Sequence, residues 1–136
     1  MEKASIKALL RPKTIAMIGA SANTQKVGGK TIMFNKNIGY AGKIIPINPK
    51  ESEIQGDKAY PSIKDVPDEV DMAVLAVPAA RVVQTVEDCA AKGVKSLVIF
   101  SSGFKETGEA GRQMEEKIRS IAQQSSMRIL GPNTVG

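Results

Sequence analysis

The sequence predicts an α/β fold of the Rossmann type, an open parallel sheet with helices on both faces and strand order 3-2-1-4-5. Short apolar runs rich in Ile and Val alternate along the chain with longer segments of helical spacing. The apolar runs show no polar alternation, which is typical of parallel strands covered on both faces. The length of 136 residues suits one domain with one core, spanning residues 1–136.

Five apolar runs bounded by Gly, Pro, Ser or Asn are the predicted strands. In chain order they are residues 14–18, 43–47, 72–77, 97–100 and 128–130. Because strands that alternate with helices form right-handed parallel βαβ units, ligands are expected outside the carboxyl ends of the strands. The predicted order puts the switch point between strands 1 and 4, at residues 19–21 and 101–104.

The segments between the strands carry helical patterns. Residues 29–38 follow a glycine start, and residues 79–92 carry an apolar stripe at i, i+3/i+4 and i+7. Residues 109–124 place acids early and bases later, which suits the helix dipole. Residues 62–66 predict a single helical turn, and residues 5–10 a short lead-in helix.

Positive charge is concentrated in the first part of the chain. The whole chain has a formal charge of +5, whereas residues 1–50 hold nine Lys or Arg and one acid, Glu2. This asymmetry predicts an anionic partner. Nucleic acid is not expected, because the lysines are scattered and the two Tyr and three Phe form no stacking platform. No membrane association is expected either, since no segment approaches the roughly 20 apolar residues of a span.

The residue types that are missing exclude several mechanisms. The chain has no His and a single Cys, so it cannot itself supply a His base, a His metal ligand, a phosphohistidine or a disulfide. A reducing, cytoplasmic compartment is the simplest interpretation. Cys89 shares an apolar stripe with Val82 and Val86, which predicts a buried structural thiol.

A glycine-rich loop follows the first predicted strand and leads into a helix. It runs from Gly19 to Gly29, and a helix N-terminus of this kind offers free N–H groups to a phosphate. The loop is neither G-x-G-x-x-G nor a complete P-loop, because the glycine four residues before Gly28 is missing. An ordinary βα loop with helix-start glycines remains the alternative.

The second strand ends in a polar and basic segment, Asn48-Pro49-Lys50. NAD-binding folds place a carboxylate there for the ribose hydroxyls. A lysine instead favours a nucleotide with a phosphate near its ribose, such as NADP or a 3′-phospho-ADP group. A plain Asn-Pro turn with a solvated Lys50 explains the segment equally well.

The remaining strand ends carry further candidate residues. Val77 and Pro78 end the third strand and begin a helix, for which Pro suits the first turn. Hydroxyl, glycine, aromatic and amide groups follow the fourth and fifth strands, at Ser101, Ser102, Gly103, Phe104 and Asn133. Each of these could contact a ligand or serve only its own turn.

Taken together, five segments resemble one family, the N-terminal CoA-binding domain of ADP-forming acyl-CoA synthetases, which are related to the succinyl-CoA synthetase alpha subunit. In order, the segments are KTIAMIGAS (13–21), IPINPK (45–50), VPA (77–79), SGFKE (102–106) and GPN (131–133). The resemblance covers nearly the whole chain.

The resemblance implies coenzyme A as the ligand and assigns site residues. The CoA-binding loop corresponds to residues 21–28, after Gly19, and the basic loop to the segment after the second strand. The pantetheine side corresponds to the ends of strands three to five. The predicted site residues are Gly19, Ser21, Lys26, Val27, Gly28, Asn48, Pro49, Lys50, Val77, Pro78, Ser101, Ser102, Gly103, Phe104 and Asn133.

Two departures from the family bear on function. Thr134 stands where the family usually has Cys, so a thiol role at that position is not expected. The family's phosphohistidine is absent, so it and the ATP-grasp region are expected in downstream domains or in a partner subunit. The chain would then position CoA for attack on an acyl phosphate made elsewhere.

Alternative functions remain open. The end of the chain, six residues past the fifth strand, favours a fragment of a ligase over a free-standing, non-catalytic CoA-binding regulatory protein. An NADP-binding oxidoreductase is disfavoured, because there is no His and both tyrosines, Tyr40 and Tyr60, lie away from the predicted switch point. A homo-oligomer is compatible with each alternative.

Overall fold

The computed structural model describes residues 12–39, 42–100 and 108–130. Strands and helices alternate through these ranges, as the sequence predicts. In chain order they are β1 Thr14–Ile18, α1 Val27–Asn37, β2 Lys43–Ile47, β3 Glu53–Ile54, β4 Asp57–Lys58, a 3₁₀ helix Ile63–Asp65, β5 Met72–Leu75, α2 Ala79–Lys92, β6 Ser96–Ile99, α3 Glu109–Ser125 and β7 Arg128–Leu130. The predicted lead-in helix at residues 5–10 lies outside the described residues.

The main sheet is parallel, with strand order β2-β1-β5-β6-β7, and β3 and β4 form a separate antiparallel hairpin. Within the main sheet, Ile18 of β1 lies beside Ile47 of β2 and beside Leu75 of β5. The carboxyl ends of these three strands are therefore level, which brings the loops that follow them together.

Helices cover both faces of the sheet, which confirms the predicted fold class. Successive residues of β1 point to opposite faces of the sheet. On one face, Ile18 packs with Val82 of α2 and Ile118 of α3. On the other face, Met17 packs with Ile32 of α1. Burying an aliphatic side chain of this size stabilises the fold by about 1.5–3 kcal/mol, so each of these layers contributes to the stability of the sheet.

The predicted strand order, 3-2-1-4-5, is wrong. Counting only the five long strands, the order is 2-1-3-4-5, because β5 pairs with β1 and not with β2. The outer side of β2 instead meets Tyr60, whose N–H donates to the carbonyl oxygen of Pro46 at 3.0 Å. Since proline has no N–H to give to a ladder, a strand containing Pro46 suits the edge of a sheet.

The connection between β2 and β5 explains why the chain turns back. It holds only the β3–β4 hairpin and the 3₁₀ helix, so it has no long helix with which to build another strand outward from β2. Ile63 and Val66 of this connection pack on the face that α2 and α3 cover. The chain thereby passes across β1 and continues the sheet on its other side.

The predicted switch point, between strands 1 and 4, is therefore also wrong. The strand order reverses between β1 and β5, so the crevice lies where Gly19 follows β1 and Ala76 follows β5. Val77 and Pro78 take the place beside Gly19 that had been predicted for residues 101–104. Those four residues follow β6, one strand further along, and lie outside the described residues.

Asp71 joins three strands at the opposite, amino edge of the sheet. Its Oδ2 accepts hydrogen bonds from the N–H groups of Lys13 and Thr14, at 2.8 and 3.2 Å. Its Oδ1 lies 3.5 Å from Lys95 Nζ, and its carbonyl oxygen accepts from the N–H of Ser96 at 3.1 Å. The carboxylate thus ties the start of β1 to the segments that begin β5 and β6.

No helix within the described ranges is long and apolar enough to cross a bilayer.

Candidate functional site

An open cleft of about 250 Å³ lies at the carboxyl ends of β1, β2 and β5. Its lining includes apolar side chains, with Ile18 and Ile47 at the strand ends and Ile63 of the 3₁₀ helix. Predicted site residues line it as well: Gly19, Pro49, Val77 and Pro78. The loops that follow β1, β2 and β5 therefore all contribute predicted site residues to one cleft.

Gly19 turns the chain sharply at the end of β1. Its φ is +89°, and a Cβ atom there would lie 2.2 Å from the carbonyl oxygen of Ala76. Only glycine adopts this conformation without strain and leaves room for the neighbouring strand end. The close approach of these two loops, which narrows the crevice, thus depends on Gly19.

The loop then folds back so that α1 begins against the end of β1. A Cβ atom on Gly28 would lie 2.0 Å from the carbonyl oxygen of Gly19. Inside the loop, the Oγ of Ser21 accepts from the N–H of Asn23 at 3.0 Å, and Asn23 Oδ1 accepts from the N–H of Gln25 at 2.9 Å. Side chains and glycines together give the loop a compact shape.

The start of α1 is suited to an anion. Lys26 is exposed and precedes the helix, and its side chain does not cap it. The first turn, which includes Val27 and Gly28, contains no acidic residue. The N–H groups of Val27 and Gly28 have no acceptor within the helix, whereas that of Gly29 donates to the carbonyl oxygen of Lys26 at 3.1 Å. The helix dipole is positive at this end. A phosphate could therefore accept hydrogen bonds here beside a lysine.

Asn48 connects the loop after β2 to the loop after β1. Its Nδ2 donates to the carbonyl oxygen of Ala20 at 3.0 Å. Its Oδ1 accepts from the N–H groups of Lys50 and Glu51 at 2.7 and 3.0 Å, which shapes the turn that follows. Asn48 therefore positions both loops, and the exposed Lys50 is held directly beside them.

Sequence reasoning missed Gln55, which lies in the turn of the β3–β4 hairpin. Its Nε2 donates to the carbonyl oxygens of Ser21 and Gly29, at 3.2 and 2.9 Å. The hairpin itself was also missed. A two-residue Gln-Gly turn between Ile54 and Asp57 was the signal that could have indicated it.

The cleft wall formed by α2 was missed as well. Arg81, Thr85 and Asp88 line it, and their spacing of four and three residues places them on one helix face. Asp88 forms an ion pair with Lys64 at 3.2 Å, whereas Arg81 is exposed. This polar stripe runs beside the apolar stripe of the same helix, and that juxtaposition was visible in the sequence.

The charges around the site favour an anionic ligand. Among the residues that the structure describes, neither Lys26 nor Lys50 forms an ion pair. The same part of the chain contains no group of three or more His, Cys, Asp or Glu residues that could hold a metal ion. Both lysines are thus available to phosphates.

Cys89 belongs to α2 and is buried in the core, as predicted. Burial, with a smaller effect from the neighbouring carboxylate of Asp88, raises the pKa of the Cys89 thiol to about 12. The thiol is therefore protonated at neutral pH, which excludes it as a nucleophile there.

Of the predicted site residues, Gly19, Pro49, Val77 and Pro78 line the cleft. Six more lie on the loops after β1 and β2 or in the first turn of α1: Ser21, Lys26, Val27, Gly28, Asn48 and Lys50. The other five predicted site residues, Ser101, Ser102, Gly103, Phe104 and Asn133, lie outside the described residues.

Comparisons with known proteins point to one family. A family model described as a CoA binding domain matches residues 13–136. Acetate–CoA ligase [ADP-forming] II of Archaeoglobus fulgidus is 47% identical over 131 residues, which are 96% of this chain and 20% of that protein. The alpha subunit of acetate–CoA ligase [ADP-forming] I of Pyrococcus furiosus is also 47% identical, over 97% of this chain and 29% of that subunit.

A solved structure agrees with these relatives. It is the dinucleotide forming acetyl-coenzyme A synthetase 1 of Ca. Korarchaeum cryptofilum in complex with phosphate and ADP. It matches with a TM-score of 0.89 and 41% identity, over 98% of this chain and 28% of that chain. The chain thus spans between a fifth and a third of the length of these proteins.

Proposed function

This chain belongs to the CoA-binding domain family, and we propose that it holds coenzyme A for acyl transfer within an ADP-forming acyl-CoA ligase. In this reaction the CoA sulfur bonds to the carbonyl carbon of an acyl phosphate. The bond from that carbon to the phosphate oxygen breaks, phosphate leaves, and the thiol proton passes to the phosphate or to solvent. The part of this chain in the reaction is to bind CoA.

The observation that carries this proposal is the junction of the glycine-rich loop with α1. Lys26 precedes the first helical turn there, the N–H groups of Val27 and Gly28 have no acceptor within the helix, and the turn contains no acidic residue. We assign the CoA pyrophosphate to this junction, with Ser21 and Gly28 beside it. Lys50, held by Asn48 on the adjoining loop, is assigned to the 3′-phosphate.

The cleft between these loops and α2 accommodates an uncharged part of CoA. Ile18, Ile47, Ile63, Pro49 and Val77 give it a largely apolar lining. An apolar cleft with few polar groups is the usual form of a small-molecule site. Ser101, Ser102, Gly103, Phe104 and Asn133 remain assigned to the pantetheine side on the resemblance to the family.

The rest of the reaction belongs to other parts of the ligase. The acyl phosphate needs a phosphohistidine and an ATP-grasp region, and this chain has no His. We therefore place both in further domains or in a partner subunit; the relatives that this chain matches are several times longer than it. A cytoplasmic location, where CoA and nucleotides are available, follows from this role.

Isothermal titration of the chain with CoA, dephospho-CoA and NADP tests the proposal. We expect micromolar binding of CoA, weaker binding of dephospho-CoA, and little binding of NADP. Binding of CoA only at millimolar concentration or above contradicts the proposal. Preference for NADP over CoA would support the oxidoreductase alternative, and equal affinity for CoA and dephospho-CoA would remove the role given to Lys50.

A further inference from the structure

The turn of the β3–β4 hairpin has an unusual first residue. Ile54 pairs with Asp57, so Gln55 and Gly56 form a two-residue turn, and their φ angles are +50° and +88°. A turn with both central residues at positive φ favours Asn-Gly, because Asn tolerates the left-handed region better than longer side chains do. The turn alone therefore does not explain glutamine.

The side chain of Gln55 explains the choice. Its Nε2 carries two hydrogens, and it donates to the carbonyl oxygens of Ser21 and Gly29 at 3.2 and 2.9 Å. Ser21 lies just past β1, and Gly29 lies in the first turn of α1. The amide therefore bridges the two ends of the glycine-rich loop and sets the distance between them.

The hairpin provides a fixed base for this bridge. Ile54 is buried against the face that α1 covers. From the last turn of α1, Lys36 forms an ion pair with Asp57 at 2.8 Å and donates a hydrogen bond to the carbonyl oxygen of Gln55. The hairpin is thus bound to the last turn of α1 through Lys36 and to the first turn of α1 through Gln55.

We propose that Gln55 is a positioning residue, which holds the glycine-rich loop in its phosphate-binding shape before CoA arrives. This inference rests on the proposed function, since it assigns the CoA pyrophosphate to that loop. A binding loop that is ordered in advance loses less conformational freedom on binding, and affinity rises accordingly. The contribution of Gln55 to ligand affinity then accounts for a glutamine at a turn position that disfavours it.

Gln55→Asn separates the turn from the bridge. Asparagine suits the left-handed backbone better, but its side chain is shorter by about 1.5 Å and cannot reach both carbonyl oxygens. We expect unchanged or higher thermal stability together with about five- to tenfold weaker CoA binding. A residue that only shaped the turn would show no loss of affinity in this variant.

Gln55→Met provides the second variant. Methionine has a similar length but no N–H to donate, so it should also weaken CoA binding while the hairpin is retained. Wild-type CoA affinity in both variants overturns the proposal. An affinity loss that appears only in a variant whose melting temperature falls overturns it as well, because it would then follow from unfolding.

Amide hydrogen exchange of the ligand-free chain tests the bridge without CoA. In Gln55→Asn, exchange should accelerate in the peptides covering residues 21–29 and remain unchanged in those covering β5 and β6. Equal exchange rates of residues 21–29 in the wild type and the variant would contradict the bridge. If wild-type protein fails to bind CoA, the proposed function fails, whereas the exchange result still decides the inference about Gln55.

Discussion

Gly28 rests on Gly19: a Cβ atom on Gly28 would lie 2.0 Å from the carbonyl oxygen of Gly19. The first turn of α1 is therefore stacked directly on the residue that follows β1, with no side chain between them. This contact brings the positive end of the helix to the crevice between β1 and β5. A phosphate at that position would meet backbone donors from a rigid support.

Gly28→Ala should disturb this support. The added methyl group cannot fit 2.0 Å from a backbone oxygen, so the loop must shift. We expect a loss of stability of about 1–3 kcal/mol, typical of overpacking, and CoA binding weakened more than tenfold. Urea unfolding and calorimetric titration measure the two effects.

Gly93→Ala is the matched control for that substitution. Gly93 ends α2 at φ +91°, and a Cβ atom there would meet no atom within 4 Å. Alanine should cost about 1–2 kcal/mol through backbone strain alone and leave CoA affinity unchanged. Equal losses of affinity in both variants would mean that global stability, and not the loop, controls binding.

Asn48→Asp should uncouple the loops after β1 and β2. Aspartate still accepts from the N–H groups of Lys50 and Glu51, but it cannot donate to the carbonyl oxygen of Ala20. We expect a loss of about 1–3 kcal/mol in unfolding free energy and at least fivefold weaker CoA binding. Urea unfolding and titration with CoA measure the effect.

The same substitution at Asn35 is its control, because Asn35 donates to Thr31 of its own helix. Asn35→Asp adds the same charge without touching the link between the loops. If both aspartate variants bound CoA equally, the hydrogen bond from Asn48 to Ala20 would have no part in binding.

Lys50→Ala should affect CoA and dephospho-CoA differently. The exposed Lys50 is assigned to the 3′-phosphate, which dephospho-CoA lacks. We expect about three- to tenfold weaker CoA binding at low salt, a smaller effect at 0.5 M salt because of screening, and no change for dephospho-CoA. Lys117→Ala, on the exposed side of α3, removes the same charge elsewhere and should change neither affinity.

The buried thiol of Cys89 predicts a loss of stability at alkaline pH. Its pKa in the folded protein is about 12, against 9.0 for an unperturbed thiol, so above pH 9 the unfolded chain releases this proton first. The folded state therefore loses about 1.4 kcal/mol per pH unit from this group between pH 9 and 12.

Other groups also titrate in that range, so the measurement is a comparison with Cys89→Ala. Urea unfolding at pH 8 and at pH 10 should show that the stability advantage of wild type over this variant shrinks as pH rises. A constant advantage across the two pH values would contradict a raised thiol pKa in the folded state.

The strands and long helices were predicted well because their patterns are local. Residues 14–18 and 43–47 were placed without error, and α2 begins and ends where its apolar stripe predicts. Strand order is not a local property. Pro46 was the one residue that indicated β2 as an edge strand, and its significance depends on which side of the strand lacks a neighbour.

The glycine-rich loop and the Asn-Pro-Lys segment were found because their residue types are informative by themselves. Gln55 was not found, because β3 and β4 have two residues each and are too short for a periodic pattern. Its contacts with Ser21 and Gly29 also span 34 and 26 residues of sequence. Such a contact exists only once the hairpin packs on α1, so no local pattern predicts it.

Asp71 has a consequence for protein engineering. Its hydrogen bonds join the strands at the amino edge, and the candidate CoA site occupies the other edge. Substitutions around Asp71 and Lys95 should therefore change thermostability with little effect on ligand selectivity. Libraries that vary the two edges separately would let one property be optimised while the other stays fixed.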